Sequence, residues 1–377
     1  MFFPWTRSAA IVALVAISVM PNTSLLANEA TGSSEPAALN KQEIVERLAT
    51  LQLPVSVEAN EQVLAQILQY ITTGKKETEA ILGRASIYFP VFEHQLRANG
   101  LPESLKYLPL IESALLPAIK SPVGATGMWQ FMPSSARQFG LEIANGVDER
   151  MDPYRSTRAA TKMLESLYNQ FGDWSLVLAA YNSGAGKVSM AVRLAGSSDY
   201  WKVQEFLPKE TQRYVPAFIA AAYVSKYYRQ HNLQPNMAQA LASDVRVLRI
   251  YRRISFGEIA RVTGLPLATI GKLNPAFTQG IVPQSEAGYF IALPDENATS
   301  LLRQFLNSPE QKAIADSGKV FRTTYVVSKG DNLQQIAKLF QTTAEDLKKW
   351  NNLNHDDLEA RQELVLYLPK SFLLNRA

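Results

Sequence analysis

Residues 108 to 133 read LPLIESALLPAIKSPVGATGMWQFMP. One charged side chain, Glu112, stands in the middle of an apolar run. A core helix takes Leu at such a position, because an ionised carboxylate removed from water must be paired, neutralised or used. With residues 103 to 116 as a helix, Leu105, Leu108, Glu112, Leu115 and Leu116 share one stripe, so Glu112 points inward with its apolar neighbours. Burial disfavours the charged form, and a carboxyl that keeps its proton near neutral pH can protonate a glycosidic oxygen. On the stripe alone, a structural Glu paired with an Arg or held by backbone is the stronger reading.

The neighbouring segments change that balance. Downstream of Glu112, residues 121 to 140 (SPVGATGMWQFMPSSARQFG) combine glycines, Trp129, Gln130, two methionines and proline, a mix of flexible backbone, apolar floor and amide donors that suits a carbohydrate site. Residues 179 to 188, AAYNSGAGKV, end a helix at two glycines and present Tyr181 and Asn182 there. GAGK is not a phosphate loop, because Tyr181 stands where the first Gly of that motif is needed. A dinucleotide loop lacks its glycine spacing and its preceding strand, and no G-x-S-x-G occurs for a serine hydrolase. Asp148, Glu149 and Asp152 in VDERMDP could supply a second carboxylate for two-acid hydrolysis, at about 5–9 Å from the first. Their surroundings read instead as a polar loop leading into a helix, which favours a structural role.

Further out, Val63, Ile67 and Ile71, then Ile87, Val91 and Leu96, recur at helical spacing. Ala159, Met163, Leu167 and Phe171 form another stripe, and residues 215 to 228 are apolar nearly all round, as a central helix would be. Residues 41 to 235 are therefore expected to form one mostly helical domain, with its core at 80 to 230. Beyond residue 244 the pattern becomes strand, helix, helix, strand at 245 to 294 and again at 323 to 369. Setting SFGEIARVTGLPLATIGKLNP against NLQQIAKLFQTTAEDLKKWNN puts Ile259 over Ile336, Ala260 over Ala337, Leu273 over Trp350 and Asn274 over Asn351, which argues for an internal duplication. Residues 295 to 320 read as a linker or amphipathic helix, with Leu301, Leu302, Phe305 and Leu306 on one face.

The chain has 377 residues, 47% hydrophobic and 19% charged, enough apolar material for two or three domains. A formal charge of +4 permits an anionic polymer as partner but is far from a nucleic-acid footprint, so no nucleic acid is expected. With no cysteine, disulfides, thiolate chemistry and a lipoprotein anchor are excluded. His94, His231 and His355 are isolated, so neither a metal nor a cofactor is expected. At the N-terminus, Arg7, the apolar run Ala9 to Met20 and Ala27 read as a signal peptide over residues 1 to 27, followed by a flexible leader at 28 to 40. Leu25, three residues before the cleavage point, is larger than that position usually takes, so an uncleaved anchor competes, and only then would the protein contact a membrane. Either way the expected location is the periplasm or cell envelope.

Taken with IESALLPAIKSPVGATGMWQFMP, the segments VDERMDPYRSTRAA, FGDWSLVLAAYNSGAGKV and LPKETQRYVPAF occur in the order found in soluble lytic transglycosylases. Over residues 80 to 230 the chain most resembles the membrane-bound lytic murein transglycosylase D family, and the terminal repeats resemble LysM modules. The resemblance implies an α+β multidomain protein: a mostly α-helical, lysozyme-like catalytic domain followed by two small βααβ LysM-like modules. It further implies a peptidoglycan lytic transglycosylase that cleaves between MurNAc and GlcNAc without water and leaves 1,6-anhydroMurNAc ends. Glu112 would be the sole acid/base, Ser113 would orient the site, and Met128 and Gln130 would line it with Trp129 packed behind. Tyr181, Asn182, Glu210 and Tyr214 would be the remaining polar residues facing substrate, Tyr214 more than Glu210. Peptidoglycan strands are the expected partner, and the oligomeric state is unreadable. A hydrolytic muramidase and an inactive glycan-binding protein stay open as alternatives. Two departures from the LysM pattern, Asn332 for Thr or Ser and Arg361 for Gly, bear on glycan affinity, and the 245 to 294 copy lacks the Gly-Asp turn that Gly330 and Asp331 provide.

Overall fold

The computed structural model describes residues 41–237, 245–306, 320–340 and 342–369. The expected signal peptide and leader lie outside the described residues. Among those described, no helix is long and apolar enough to cross a membrane.

The first two hundred described residues are helical, built around the helix Tyr214–Tyr227. Val215, Phe218, Ile219 and Ala220 are wholly buried on it, and the run of Ala220, Ala221 and Ala222 lets neighbours approach closely. Helices Glu61–Ile71, Trp174–Ser183 and Leu108–Ser113 pack around it. Each boundary has a local cause. Asp152 accepts from the amides of Tyr154 and Arg155 at 2.8 Å and Pro153 takes the first helical position, which starts the helix Pro153–Phe171. Asp173 caps Trp174–Ser183 by accepting from Leu176 N at 2.9 Å, and that helix stops at Gly184.

Two features differ from the expectation. Residues 103 to 116 are not one helix: a 3-10 turn, Glu103–Tyr107, leads into the short helix Leu108–Ser113, and Ala114 and Leu115 then turn left-handed at φ 51° and 61°. Leu105, Leu108 and Leu115 are buried as the stripe requires, but Leu116 is 37% exposed. The polar loop read over ANGVDERMDPYRS, residues 144 to 156, overlaps a small hairpin, Ile143–Ala144 against Val147–Asp148. Its turn is Asn145-Gly146, both at positive φ, a two-residue hairpin signal.

Each terminal module has an antiparallel strand pair with two helices between its strands. Arg246–Ile250 pairs with Tyr289–Leu293, and Val320–Val326 with Glu363–Pro369. The first module adds a short ribbon, Ile254–Ser255 with Ile281–Val282. The aligned asparagines perform one task in both. Asn274 donates to Ile270 O and Ala292 O and accepts from Ala292 N, while Asn351 donates to Leu347 O and Val365 O and accepts from Val365 N. Each amide thus clamps the end of its second helix to the last strand. The segment expected as linker or helix forms the helix Glu296–Leu306, whose Ala298, Leu302 and Leu306 are part of the first module's core. That helix is packed into the module; residues 307–319 lie outside the described residues.

The two LysM departures also have a geometry. Asn332 still caps the helix Leu333–Leu339, its side chain accepting from Gln335 N at 2.9 Å, as Thr or Ser would. Arg361 sits at φ 74°, a left-handed conformation that Gly adopts without cost.

Candidate active site

Glu112 is the penultimate residue of the helix Leu108–Ser113 and is 3% exposed. The left-handed pair Ala114 and Leu115 closes the helix, Ala114 N donating to Leu110 O and Leu115 N to Pro109 O. Two such residues cost roughly 1–2 kcal/mol each. Wholly buried Leu115 offsets much of that, at about 2 kcal/mol. Buried Arg84 fixes the turn from outside the helix, its Nε donating to Ala114 O at 2.8 Å while Nη2 pairs with Glu77 at 2.8 Å. The strained turn therefore holds the carboxylate side chain at a helix end, where a helix running on to residue 116 would have placed it in mid-cylinder.

Burial pushes the Glu112 carboxyl up to about 7. The Tyr214 hydroxyl donates to Glu112 Oε1 and pulls it back down in part, and the nearby charge of Glu210 pushes it up again. Because Oε1 accepts from tyrosine, the acid proton is left to Oε2. Tyr214 itself is driven well above the ordinary phenol range, first by burial and then by the Glu112 charge, so it remains a donor. Tyr181 is raised in the same way and by the same neighbour, and its hydroxyl donates to Trp129 O at 2.7 Å.

The loop after Glu112 is folded back against its neighbours Ser113 and Tyr181. Thr126 and Phe131 exchange backbone hydrogen bonds at 3.1 Å, and Gly127 N donates to Ile119 O at 2.9 Å. Gly127, at φ 84°, has Arg150 O so near that a Cβ would lie 1.8 Å from it, so no other residue fits. Ser113 donates to Pro109 O and to Met128 O, both at 2.9 Å. Trp129 is wholly buried, donates to Thr157 at 2.9 Å and stands edge-on to Phe92.

The residues expected at the site divide accordingly. Glu112, Tyr181 and Tyr214 come together. Ser113 and Met128 are buried, and the hydroxyl of Ser113, expected to orient the site, ties helix to loop. Gln130 turns left-handed at φ 47° and its amide donates back to Gly127 O at 2.8 Å. Tyr214, expected to face sugar, is 1% exposed and reaches the carboxyl; Glu210 is exposed. Asn182 is buried, its Oδ1 accepts from Thr211 at 2.8 Å, and its Nδ2 has no hydrogen-bond partner among the described residues.

Three contributors were not anticipated. Thr211 sets which face of the Asn182 amide is left unpaired, and its only sequence signal is its place inside ETQRY. Arg84 is hidden as one basic residue in a long helix. Arg150 pairs with Asp148 through Nε and Nη2 at 2.8 and 2.7 Å, and its Nη1 donates to Gly124 O and Phe131 O at 2.8 and 3.1 Å. The other two acids of that segment are engaged as well: Glu149 pairs with Arg155 at 2.9 Å and accepts from Glu142 N, and Asp152 caps its helix. Among the described residues no cluster of His, Asp and Glu has the arrangement of a metal site.

Comparison with known proteins gives three domain matches: a transglycosylase SLT domain at residues 89–204, the LysM-like domain of lytic transglycosylase MltD at 245–308, and a LysM domain at 325–366. Membrane-bound lytic murein transglycosylase D of Escherichia coli strain K12 is 29% identical over 325 residues, 84% of this chain and 71% of that protein. Soluble lytic murein transglycosylase of Salmonella typhimurium is 35% identical over 172 residues, 44% of this chain and 26% of its own. The solved structure of the 70 kDa soluble lytic transglycosylase from Escherichia coli shares 23% identity over 48% of this chain with a TM-score of 0.34, and the chain spans 30% of that molecule.

Proposed function

We propose, from a chain that is a peptidoglycan lytic transglycosylase of the SLT type with MltD-like and LysM modules behind it, that Glu112 is the one group acting as both acid and base. The supporting observation is a carboxyl buried at a helix end, its pKa pushed up to about 7, and gripped on one oxygen by a tyrosine whose own pKa burial raises well above the ordinary phenol range. Such a group holds a proton to give and, once ionised, accepts a hydrogen bond that stabilises its charge until it takes a proton back.

The reaction follows from these parts. Glu112 gives its proton to the oxygen linking MurNAc C1 to GlcNAc, and the C1–O bond breaks. The Tyr214 hydroxyl stabilises the carboxylate that forms. That carboxylate then takes the proton of the MurNAc 6-hydroxyl as its oxygen bonds to C1. The product is a 1,6-anhydro end, the acid is regenerated, and no water enters. A two-carboxylate hydrolysis would need a second acid to activate water. Asp148, Glu149 and Asp152 are engaged in ion pairs and a helix cap, which supports the one-carboxylate route. Asn182 Nδ2, buried and without a hydrogen-bond partner among the described residues, is a donor for the acetamido or hydroxyl groups of the sugars. The LysM module binds glycan strands, and the protein works in the periplasm or cell envelope, where its substrate is.

The test is the product of wild type and Glu112→Gln on purified peptidoglycan, analysed by mass spectrometry. Anhydro ends, lighter by one water than hydrolysed ends, are expected from wild type, and near-total loss of cleavage with fold retained from the variant. Hydrolysed ends make the protein a muramidase; a Gln variant as active as wild type ends the assignment of Glu112.

A further inference from the structure

The hairpin Ile143–Ala144 with Val147–Asp148 belongs by sequence to the helical domain, yet the first module completes it. Val147 forms an antiparallel bridge with Phe277. Asp148 N donates to Ala276 O at 2.8 Å, and Thr278 N and Oγ1 donate to Gly146 O at 2.9 and 3.0 Å. Side chains reinforce the join. Val147 is buried within the module's own apolar core beside Ile250, Phe256 and Phe277, and Tyr289 donates to Glu142 Oε2 at 2.8 Å. Two strands of two residues are marginal alone, so a third segment pairing with them supplies much of their order.

From the hairpin inward the contacts are continuous. Asp148 holds Arg150 through two charge-assisted hydrogen bonds. Arg150 in turn holds Gly124 O and Phe131 O, two points that bracket the Gly124 to Phe131 loop. The carbonyls of Met128 and Trp129 on that loop receive the hydroxyls of Ser113, next to Glu112, and of Tyr181. A mere tether between a catalytic domain and a glycan-binding module requires none of this.

We propose that the first module is a brace for the active site: by completing the hairpin it fixes Asp148 and Arg150 in the pose that shapes the loop over Glu112, and so it sets turnover and not glycan affinity. Val147 and Phe277 are positioning residues that act through Asp148 and Arg150, Tyr289 supports the same hairpin through Glu142, and none of the three touches substrate. The coupling runs through a contiguous hydrogen-bonded network whose loop end must be ordered for the site to form. The effect on turnover rests on the assignment of Glu112; the effect on loop order does not.

The experiment uses the full chain with Phe277→Ala and the milder Tyr289→Phe, and reads three quantities: turnover of soluble glycan strands, co-sedimentation with insoluble peptidoglycan, and amide hydrogen exchange over residues 120 to 131. Phe277→Ala is expected to lower kcat about tenfold with KM nearly unchanged, to leave co-sedimentation intact, and to speed exchange in the loop but not in the helix Tyr214–Tyr227. A smaller change in the same direction is expected for Tyr289→Phe. Unfolding of the module in Phe277→Ala also removes the brace, so loop exchange remains the deciding readout. Unchanged loop exchange overturns the proposal, as does retained turnover with lost co-sedimentation, which would make the module a binding unit. Failure of the wild type to cleave glycan would count against Glu112, while the loop exchange would still report on the brace.

Discussion

Glu112→Gln should stabilise the protein, and by an amount that depends on pH. The folded-state carboxyl sits at about 7 against an ordinary 4.5. Between those values the folded state binds more protons than the unfolded state, so stability falls as pH rises from about 4.5 and levels off above about 7. A shift from 4.5 to about 7 corresponds to about 3 kcal/mol at full deprotonation. Glutamine keeps the shape and an acceptor for Tyr214 but carries no charge to bury. Chemical denaturation followed by tryptophan fluorescence should therefore show Glu112→Gln more stable than wild type by up to about 3 kcal/mol at pH 8 and by less than about 1 kcal/mol at pH 5. A gap that is equal at the two pH values, or that widens toward acid, would refute the buried, proton-holding carboxyl. The destabilisation at neutral pH is what an active site built for proton transfer is expected to carry.

Tyr214→Phe removes the donor on Oε1, the contact that holds the Glu112 pKa down, so the alkaline limb of the pH–rate profile should move to higher pH while kcat falls. Thr211→Val deletes the hydroxyl that orients the Asn182 amide; kcat should fall about tenfold with KM nearly unchanged and stability altered by about 1 kcal/mol, and Thr211→Ser should restore activity. Asn351→Ala unclamps the LysM strand and leaves two backbone groups of Val365 without their partner, so thermal unfolding of that module should come earlier by roughly 2–4 kcal/mol while catalytic turnover on soluble strands stays.

What could be read from residues alone, and what could not, follows from the range of the interactions. Glu112 was legible because a charge in an apolar stripe conflicts locally with its surroundings, and the conflict survives whether the helix ends at 113 or 116. The helix end was not legible: Ala114 and Leu115 carry no turn signal, and their left-handed backbone is held by Arg84, thirty residues away. Asn145-Gly146 did carry a local hairpin signal, but the polar residues around it read as loop. The reason for the hairpin, pairing with Phe277, is long-range. The repeat showed in the sequence because Asn274 and Asn351 do one job twice. Thr211 and Arg150 had no local signature, since each matters only through a partner brought near by the fold.

In the proposed reaction one carboxyl breaks the glycosidic bond, and the 6-hydroxyl of the sugar closes on C1 as the GlcNAc oxygen departs. Digestion of purified glycan strands in water enriched in oxygen-18 tests this directly. New anhydro ends that carry no heavy oxygen are expected. Heavy oxygen at C1 of the released MurNAc ends would contradict the proposed reaction.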